Sequence, residues 1–498
     1  MSLTKWFLPS IRDLIFIVLF LSLAFGSLSQ RLLRDGGTGW HIRTGERILA
    51  LHQIPRSDPF SLSTGGKVWY AWEWLYEAAL AAIYTWGGLN GAVAATALLV
   101  ALTFAWLFTI MRARGTDLIT SVVLLLLGFG TAAIHLYVRP HVVSWLLTLL
   151  FWFVLERARE REKPGLLAWL PLFMLLWVNV HGGFVLGFAL IGIYEIDAAW
   201  RFFSGRLGRT WFVAVSLTLI GCGIASLANP FGINLHRHIY QYVTDPFLMR
   251  HIQEFQPPNF RTFSPLCFAA LLLIGLGGIV LAGMRPSLRE GLVLVFAAWT
   301  GLDASRSLPA AAILIAAVAA PFVTRSWRRN HRTGAHSKPL AILERAEKRE
   351  ASLAGGFWPV MAILVVFWMT LHGGRLGQAQ VMHAGFDESR FPVSAMNYAR
   401  ENGIARPIFS TDQWGGYLIY RGYPAVLVDD RHDLYGDAFF LEYLKIIHVE
   451  PGWQDGLSQM RAAAALLPAD SALAKAMASS PQWKEVYRDR VATLFERE

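Results

Sequence analysis

Residues 92–111 read AVAATALLVALTFAWLFTIM, residues 112–117 read RARGTD, and residues 118–136 read LITSVVLLLLGFGTAAIHL. Each long run is close to the 20 or so largely apolar residues that an α-helix needs to cross a lipid bilayer. The polar segment between them carries Arg112 and Arg114, and basic residues concentrate on the cytoplasmic side of membrane proteins. This stretch therefore predicts two membrane-spanning helices joined by a cytoplasmic loop.

The composition extends this interpretation to most of the 498 residues, of which 54% are hydrophobic and 16% are charged. A soluble domain carries about 25% charged residues, so the deficit indicates that lipid is the solvent. We predict a polytopic α-helical membrane protein with about eleven transmembrane helices. The segments are 13–29, 92–111, 118–136, 142–156, 165–179, 184–199, 211–228, 266–283, 290–303, 308–323 and 355–372. The apolar stretch 72–86 carries Glu73 and Glu77, and is predicted to be a separate interfacial or re-entrant helix.

The charged loops predict the orientation of the chain. Clusters of arginine and lysine precede the first span and then recur in alternate connections, up to the basic loop 324–353. The positive-inside rule makes this side, with the N-terminus, cytoplasmic. Loop 30–71 is an exception, because it carries six basic residues on the predicted external side. The opposite orientation would place five other basic clusters outside the cytoplasm. We expect a multi-pass protein of the bacterial inner membrane.

Two domains follow from this topology: a transmembrane domain over residues 1–372 and an extracytoplasmic α/β domain over residues 373–498. The transmembrane domain has external loops at 30–90 and 229–265. In the tail, apolar runs predict strands at 407–410 and 425–428, and amphipathic patterns predict helices at 391–402, 437–448 and 455–466. Residues 414–417, which read WGGY, indicate a turn.

The first external loop holds the densest set of chemically capable residues. Residues 34–41 read RDGGTGWH, residues 54–61 read IPRSDPFS, and residues 72–75 read WEWL. The alternative to a functional site is a purely structural segment: a glycine-rich turn with a capping aspartate and an interfacial tryptophan. Later external segments are also rich in polar residues: RPH at 139–141, NVHGG at 179–183, NPFG at 229–232, EFQP at 254–257 and DR at 430–431.

In their order and their position on one side of the membrane, these motifs resemble the GT-C glycosyltransferases. The resemblance is to bacterial family 39-like members, related to the protein mannosyltransferases and aminoarabinose transferases. It implies a membrane enzyme that moves a sugar from a polyprenyl-phosphate donor to an acceptor. It also implies a catalytic carboxylate at Asp35. Relatives often carry a second acidic residue two positions later, where this chain has Gly37, so the role rests on Asp35 alone.

The chemistry of such a transfer suggests which other residues take part. A carboxylate removes the proton of the attacking hydroxyl, so Asp35 is the predicted general base, with inversion at the anomeric carbon. The enzyme hypothesis expects a cavity at the outer interface with Asp35 at its floor. Arginine suits the departing phosphate because its planar fork binds two oxygens at once. The predicted phosphate ligands are Arg139, Arg306 and His181, followed by Arg237, His238 and Arg261.

The first three phosphate candidates each have a structural alternative. Arg139 is equally a snorkelling anchor at a helix end, His181 a polar cap in a tight turn, and Arg306 an ion-pair partner of Asp303. The candidates for substrate or acceptor contact are Trp40, His41, Asp58, Glu73 and Glu254. For Glu254 a solvated loop carboxylate is the favoured alternative.

The tail offers Trp414 and Tyr417 for sugar stacking and Asp429, Asp430, Arg431 and Asp433 for acceptor binding. The favoured interpretation is structural, with Trp414 in the domain core and Arg431 paired to a nearby carboxylate. We expect no metal site, because His236 and His238 lack an orderly set of further ligands, although a divalent metal stays open. No other cofactor and no nucleic acid are expected as partners, and the acceptor is a glycan, a lipid or a protein.

Three rival functions remain. A transporter or flippase of lipid-linked glycans needs ionisable groups at mid-membrane and commonly has paired halves, whereas here the ionisable residues lie at helix ends. A polymerase or ligase of surface glycans usually places its large external loop late in the membrane domain, whereas here an elaborate loop follows the first span. A receptor that uses the membrane part as an anchor does not need eleven spans.

Overall fold

The computed structural model of the chain describes residues 4–64, 66–206, 208–330, 337–404, 406–423 and 426–498. Up to Leu371 the regular secondary structure of the described residues is helical, apart from isolated β-bridges at Ser57, Ser61 and Val68. Its α-helices, α1 to α17, are Thr4–Phe7, Ile11–Ala24, Gly26–Arg31, Gly37–Leu51, Trp74–Ala113, Leu118–Ala132, His141–Glu160, Leu170–Val180, Val185–Phe203, Arg209–Ser226, Ile233–Thr244, Pro246–His251, Phe263–Leu281, Leu288–Asp303, Leu308–Asn330, Ser337–Ala351 and Phe357–Leu371. Short 3-10 turns precede or follow several of them, such as Pro164–Trp169 before α8.

All eleven predicted spans coincide with helices. Among the described residues, seven helical stretches are long and apolar enough to cross a membrane. They are Trp74–Ala113, Leu118–His135, His141–Glu160, Gly182–Phe203, Arg209–Ser226, Phe263–Leu281 and Ser305–Arg329. The other four predicted spans are shorter helices: α2, α14, α17 and the stretch Pro164–Val180. The first of them ends at Ala24 because the chain turns at Phe25 and at Gly26, whose φ is +66°.

The predicted interfacial helix at 72–86 is not separate from the span after it. It is the first part of α5, which continues to Ala113 across a kink at Gly88. Gly88 has φ +55° and ψ −149°, which only glycine adopts without strain. The kink lets the polar beginning of α5, with Glu73 and Glu77, take a direction different from that of the apolar remainder.

The tail folds into a small mixed domain. Its helices α18 to α23 are Val393–Glu401, Asp412–Tyr420, His432–Tyr435, Asp437–Ile447, Trp453–Gln459 and Ala472–Ala478. Its strands β1 to β6 are Arg375–Leu376, Ala379–Gln380, Ile408–Ser410, Ala464–Pro468, Trp483–Arg488 and Ala492–Arg497. The first two pair as a hairpin, and the others form a sheet in the order β3-β4-β6-β5. Only the β3–β4 pair is parallel, with Ile408 opposite Ala464.

Three local predictions in the tail need correction. Residues 414–417 are the middle of α19 instead of a turn, and they are buried. The predicted helix 455–466 ends at Gln459, and the apolar residues after it form β4. The predicted strand 425–428 begins outside the described residues, and Val426 makes only isolated bridges to Ile408 and Ser61.

Two large cores lie among the described residues, beside a small cluster of Leu248, Ile252 and Phe255. The larger one joins the buried faces of the membrane helices, and the smaller one fills the C-terminal domain. Trp40, Trp69 and Ala71 of the first external loop belong to the smaller core. The loop and the C-terminal domain therefore share buried apolar surface, which fixes one against the other.

Candidate active site

A cavity of about 170 Å³ lies where the first external loop, the ends of several membrane helices, loop 229–265 and the C-terminal domain meet. Its walls are rich in charged and imidazole groups. The basic and imidazole side chains are His41, His135, Arg139, His141, His181, Arg306 and Arg431. The carboxylates are Glu73, Glu77, Glu254, Asp430 and Asp433. Residues far apart in the chain thus converge on one small volume.

Of the twelve site residues predicted in the transmembrane domain, seven line this cavity: Trp40, His41, Glu73, Arg139, His181, Glu254 and Arg306. The other five, Asp35, Asp58, Arg237, His238 and Arg261, do not line it. His238 instead lines a second, neighbouring cavity of about 300 Å³, which shares Tyr242 and Asp433 with the first. Arg261 is an exposed residue of loop 229–265.

Asp35 does not lie at the floor of the cavity, and that expectation was wrong. Its Oδ1 accepts hydrogen bonds from Nε and Nη2 of Arg139, at 3.0 and 2.7 Å, and from the Gly37 amide at 2.7 Å. It therefore reaches the cavity only through Arg139. Arg139, two residues before α7, takes the position in the cavity wall, and Asp35 lies beside it.

The Arg139 guanidinium has a second carboxylate partner, Asp430 of the C-terminal domain. Asp430 also accepts a hydrogen bond from Nε1 of Trp40 at 2.9 Å. The pKa of Asp430 is raised to about 6, mainly by burial. The charge of Asp35 adds to this increase, and the charge of Arg139 opposes it. Sequence reasoning favoured a structural role for this segment, but Asp430 is a wall of the cavity.

Asp58 and Arg431 belong to one buried network of ion pairs. Arg431 donates to Asp429 at 2.6 Å and to Asp58 at 2.9 Å, and all three side chains are buried. Asp58 also accepts the Phe60 and Ser61 amides, at 3.1 and 3.0 Å. This network ties the first external loop to the C-terminal domain. The pairing of Arg431 with a nearby carboxylate is the arrangement that the sequence favoured.

Glu73 lies between two histidines, with its carboxylate oxygens 3.7 Å from His41 Nε2 and 3.6 Å from His181 Nε2. Burial raises the pKa of Glu73 to about 8, although the charge of Arg139 opposes this. Burial lowers the pKa of His181 to about 3, and it lowers the pKa of His41 well below its ordinary value. At neutral pH these contacts therefore join three neutral groups, and none of them is an ion pair.

His181 has a defined tautomer. Its Nδ1 accepts a hydrogen bond from the backbone amide of Gly183 at 3.0 Å, so Nδ1 carries no proton. The proton of the neutral ring is then on Nε2, the atom that faces Glu73. His181 caps the turn after α8, as its structural alternative proposed, and it lines the cavity as well.

Arg306 pairs with Glu254, at 3.7 Å, instead of with Asp303. Its guanidinium carbon also lies 4.5 Å from the centre of the Phe255 ring. Burial raises the pKa of Glu254, but the charges of Arg306 and His135 outweigh it and lower that pKa to about 2. Glu254 is therefore an ionised residue of the cavity wall that pairs with Arg306, and its side chain is 39% exposed.

Four polar atoms of the cavity wall are buried without a hydrogen-bond partner among the described residues. They are His41 Nε2, Glu77 Oε2, His135 Nε2 and Arg306 Nη1. Buried polar groups in native proteins nearly always have partners, so several unpaired ones around one cavity indicate a site for a polar ligand. No group of three or more His, Cys, Asp or Glu side chains in the described ranges is arranged to hold a metal ion.

Comparisons with known proteins found similarity at the level of structure. No protein-family model matches the chain, and no curated protein matches it in sequence. The archaeal oligosaccharyltransferase AglB from Archaeoglobus fulgidus, in complex with an inhibitory peptide and a dolichol-phosphate, matches with a TM-score of 0.60 at 12% identity, over 92% of this chain and 68% of that chain. ArnT from Cupriavidus metallidurans in the apo state matches with a TM-score of 0.51 at 14% identity, over 97% of each chain. This chain has the GT-C fold.

Gly37 shows how this GT-C chain arranges the carboxylates around Arg139. A side chain at position 37 would overlap Nη2 of Arg139 and come within 2.6 Å of Oδ2 of Asp430. The space beside Arg139 that a residue at position 37 would fill is therefore taken by Asp430. The second carboxylate on this arginine comes from the C-terminal domain, 291 positions further along the chain.

The arrangement combines two chemical capacities. Arg306, and Arg139 where its partners leave it accessible, present fixed positive charge to an anion in a partly buried site, where such charge acts most strongly. Carboxylates beside them can take up a proton from a bound hydroxyl. Neutral His41 and His181 add hydrogen-bonding capacity without adding charge.

Proposed function

We propose that this chain is a membrane glycosyltransferase that moves a sugar from a polyprenyl-phosphate donor to an acceptor on the extracytoplasmic face. The observation that carries the proposal is the cavity with Arg139 and Arg306 in its wall, set between the external helix ends and the C-terminal domain. The GT-C fold supports it, since a protein of that fold binds a dolichol-phosphate, which is a polyprenyl phosphate. Nucleotide sugars are not reliably supplied outside the cytoplasm, so a transferase on that face needs a donor sugar that is delivered on a lipid carrier.

In the proposed reaction the acceptor hydroxyl oxygen attacks the anomeric carbon of the donor sugar. A bond forms between these two atoms, and the bond from the anomeric carbon to the phosphate oxygen breaks. The electron pair of that bond leaves on polyprenyl phosphate, and the hydroxyl proton passes to a carboxylate. A single displacement of this kind inverts the anomeric configuration.

Arg306 is the first choice for the phosphate ligand. Its Nη1 has no hydrogen-bond acceptor among the described residues, and its ion-pair partner Glu254 lies at 3.7 Å, beyond hydrogen-bond range. A phosphate oxygen can therefore approach without first displacing a close carboxylate. Arg139, with two carboxylate partners, contributes positive charge from a less accessible position.

Asp35 is the proposed base, although it lies beside the cavity. All the hydrogen bonds that it accepts within the described ranges go to Oδ1, which leaves Oδ2 for a substrate proton. Its side chain is about one-fifth exposed, so a hydroxyl can reach it. Glu73 is a weaker choice at neutral pH because its carboxyl already holds a proton.

The direct test incubates the purified protein with a panel of polyprenyl-phosphate sugars and mixed acceptors, and measures release of polyprenyl phosphate. We expect release with at least one donor, and a fall of about 100-fold in Arg306→Ala, the typical effect of removing one donor to developing charge. Arg250→Ala is the matched control, because Arg250 is an exposed arginine of the same loop outside the cavity. Equal release by Arg306→Ala and the wild type would contradict the phosphate assignment.

A further inference from the structure

Arg139 is bound from two sides by carboxylates that belong to different parts of the chain. Asp35 comes from the first external loop and Asp430 from the C-terminal domain, and both accept from Nη2. We propose that Asp430 is a positioning residue of the transfer site, which sets the direction of the Arg139 guanidinium and makes the C-terminal domain a required part of that site. The inference rests on the proposed function and names a further residue for it.

Asp430 is held from its own side by a rigid segment. Its neighbours Asp429 and Arg431 are buried and bound to each other, with Arg431 Nη2 2.6 Å from Asp429 Oδ2. Asp429 also accepts from the Tyr435 hydroxyl at 2.9 Å. The Arg431 guanidinium carbon lies 4.8 Å from the centre of the Trp69 ring. With both flanking residues anchored, the Asp430 carboxylate is presented at one place.

The first external loop binds the Asp430 carboxylate through a hydrogen-bond donor and leaves space for it. Nε1 of Trp40 donates to Asp430 Oδ1, so one oxygen is held by the loop and the other by Arg139. Gly37 leaves the space that the carboxylate fills, because a Cβ there would lie 2.6 Å from Asp430 Oδ2. Loop, helix end and C-terminal domain therefore meet at one carboxylate in the cavity wall.

This geometry has an electrostatic consequence. Asp430 fixes Arg139, but its negative charge also opposes any anion that approaches the same guanidinium. A donor phosphate that uses Arg139 must compete with Asp430. Removing the charge while keeping the shape should therefore strengthen anion binding and, because Arg139 loses its direction, slow the transfer. A role in folding alone gives no such opposite pair of effects.

The experiment compares full-length Asp430→Asn with the wild type in detergent. The first readout is the affinity for undecaprenyl phosphate, measured by titration calorimetry. The second is the split between kcat and KM in sugar transfer from the donor found active. We expect Asp430→Asn to bind undecaprenyl phosphate about 10-fold more tightly and to turn over at least 10-fold more slowly. Asp455→Asn, at an exposed position of the same domain, should match the wild type in both.

Trp40→Phe is a second variant, in case Asp430→Asn folds poorly. It removes one hydrogen bond to Asp430 and keeps an aromatic ring. We therefore expect tighter binding of undecaprenyl phosphate and slower turnover, both smaller than in Asp430→Asn. Unchanged or weaker lipid-phosphate affinity in both variants would overturn the inference. Because affinity is measured without turnover, it tests the role of Asp430 even if the wild type transfers no sugar, an outcome that would count against the proposed function alone.

Discussion

At the scale of single residues, Glu73 is a buried carboxyl that is stable in its neutral form. Burial raises its pKa from the ordinary value of 4.5 to about 8. The nearby rings of His41 and His181 are neutral and offer it no compensating charge. The folded protein therefore holds this proton across a pH range in which an unfolded chain releases it.

This difference predicts how stability depends on pH. Between about pH 4.5 and pH 8 the folded state binds one more proton at Glu73 than the unfolded state, so the carboxyl lowers the free energy of unfolding as pH rises. Glu73→Gln keeps the neutral shape without the proton. We expect its Tm to exceed that of the wild type by a margin that grows from pH 5 to pH 8 and then levels off. A margin independent of pH would rule out this assignment.

Asp35 gives a second prediction at this scale. Asp35→Asn preserves the size of the side chain but cannot take up the proton of a hydroxyl, so transfer should slow by about 10²–10⁴-fold. The KM for the donor should not rise, because Arg306 is unaffected and Arg139 loses one of its two competing carboxylate charges. The check is steady-state kinetics together with a melting curve that shows a folded protein. Normal turnover in the variant would show that Asp35 is not the general base and that another carboxylate takes the proton.

At the scale of elements, α4 and α19 pack through glycines. A Cβ at Gly39 would overlap the carbonyl oxygen of Gly416 and come within 2.7 Å of the Tyr420 Cβ. A Cβ at Gly416 would in turn overlap the carbonyl oxygen of Gly36. The two helix backbones therefore lie nearly in contact. This close approach holds Trp40 at the cavity wall and places α19 against the external loop.

Gly39→Ala should push these helices apart. We expect a loss of about 1–3 kcal/mol in stability from overpacking, together with reduced transfer, because Trp40 and Asp430 lose register. Gly192→Ala is the matched control: Gly192 lies inside α9 with open space around it, so alanine there should be neutral or stabilising. Thermal unfolding of both variants checks the pair. Equal effects would mean that helix propensity, and not packing, decides.

At the scale of the whole molecule, the C-terminal domain contacts three of the six basic residues of the loop that opposes the positive-inside rule. Arg34 pairs with Asp387 at 2.7 Å, and Lys67 donates to the Tyr435 carbonyl at 3.1 Å. Arg43 pairs with Glu46 and donates to the Tyr420 carbonyl. These charges of loop 30–71 are bound to protein, so they are consistent with an external position beside the domain.

This arrangement predicts the membrane topology. In a background with Cys222 and Cys267 replaced by alanine, single cysteines at the exposed positions Gln53 and Lys475 should react with an impermeant maleimide on right-side-out vesicles. A cysteine at Arg206, in a predicted cytoplasmic loop, should react only after the membrane is opened. Labelling of Arg206→Cys with protection of Gln53→Cys would reverse the orientation and remove the basis for the proposed function.

The positions of the membrane helices followed from the sequence because their cause is local. In lipid every backbone polar group must be satisfied within its own segment, so a long apolar run becomes a helix wherever it occurs. The same local reasoning placed Arg139, His181 and Arg306 at external helix ends, and those residues line the cavity. It failed at residues 414–417, where glycines that suit a turn instead allow α19 to pack against α4.

What the tertiary structure decided is which of these residues meet. Arg139 and Asp430 are 291 positions apart, and no periodicity or spacing joins them. The contact depends on the docking of the C-terminal domain through Asp58, Arg431 and the tryptophans of the first loop. Hydropathy is a property of each segment and could be read from the sequence alone, whereas the direction of a guanidinium depends on long-range packing that only the folded chain defines.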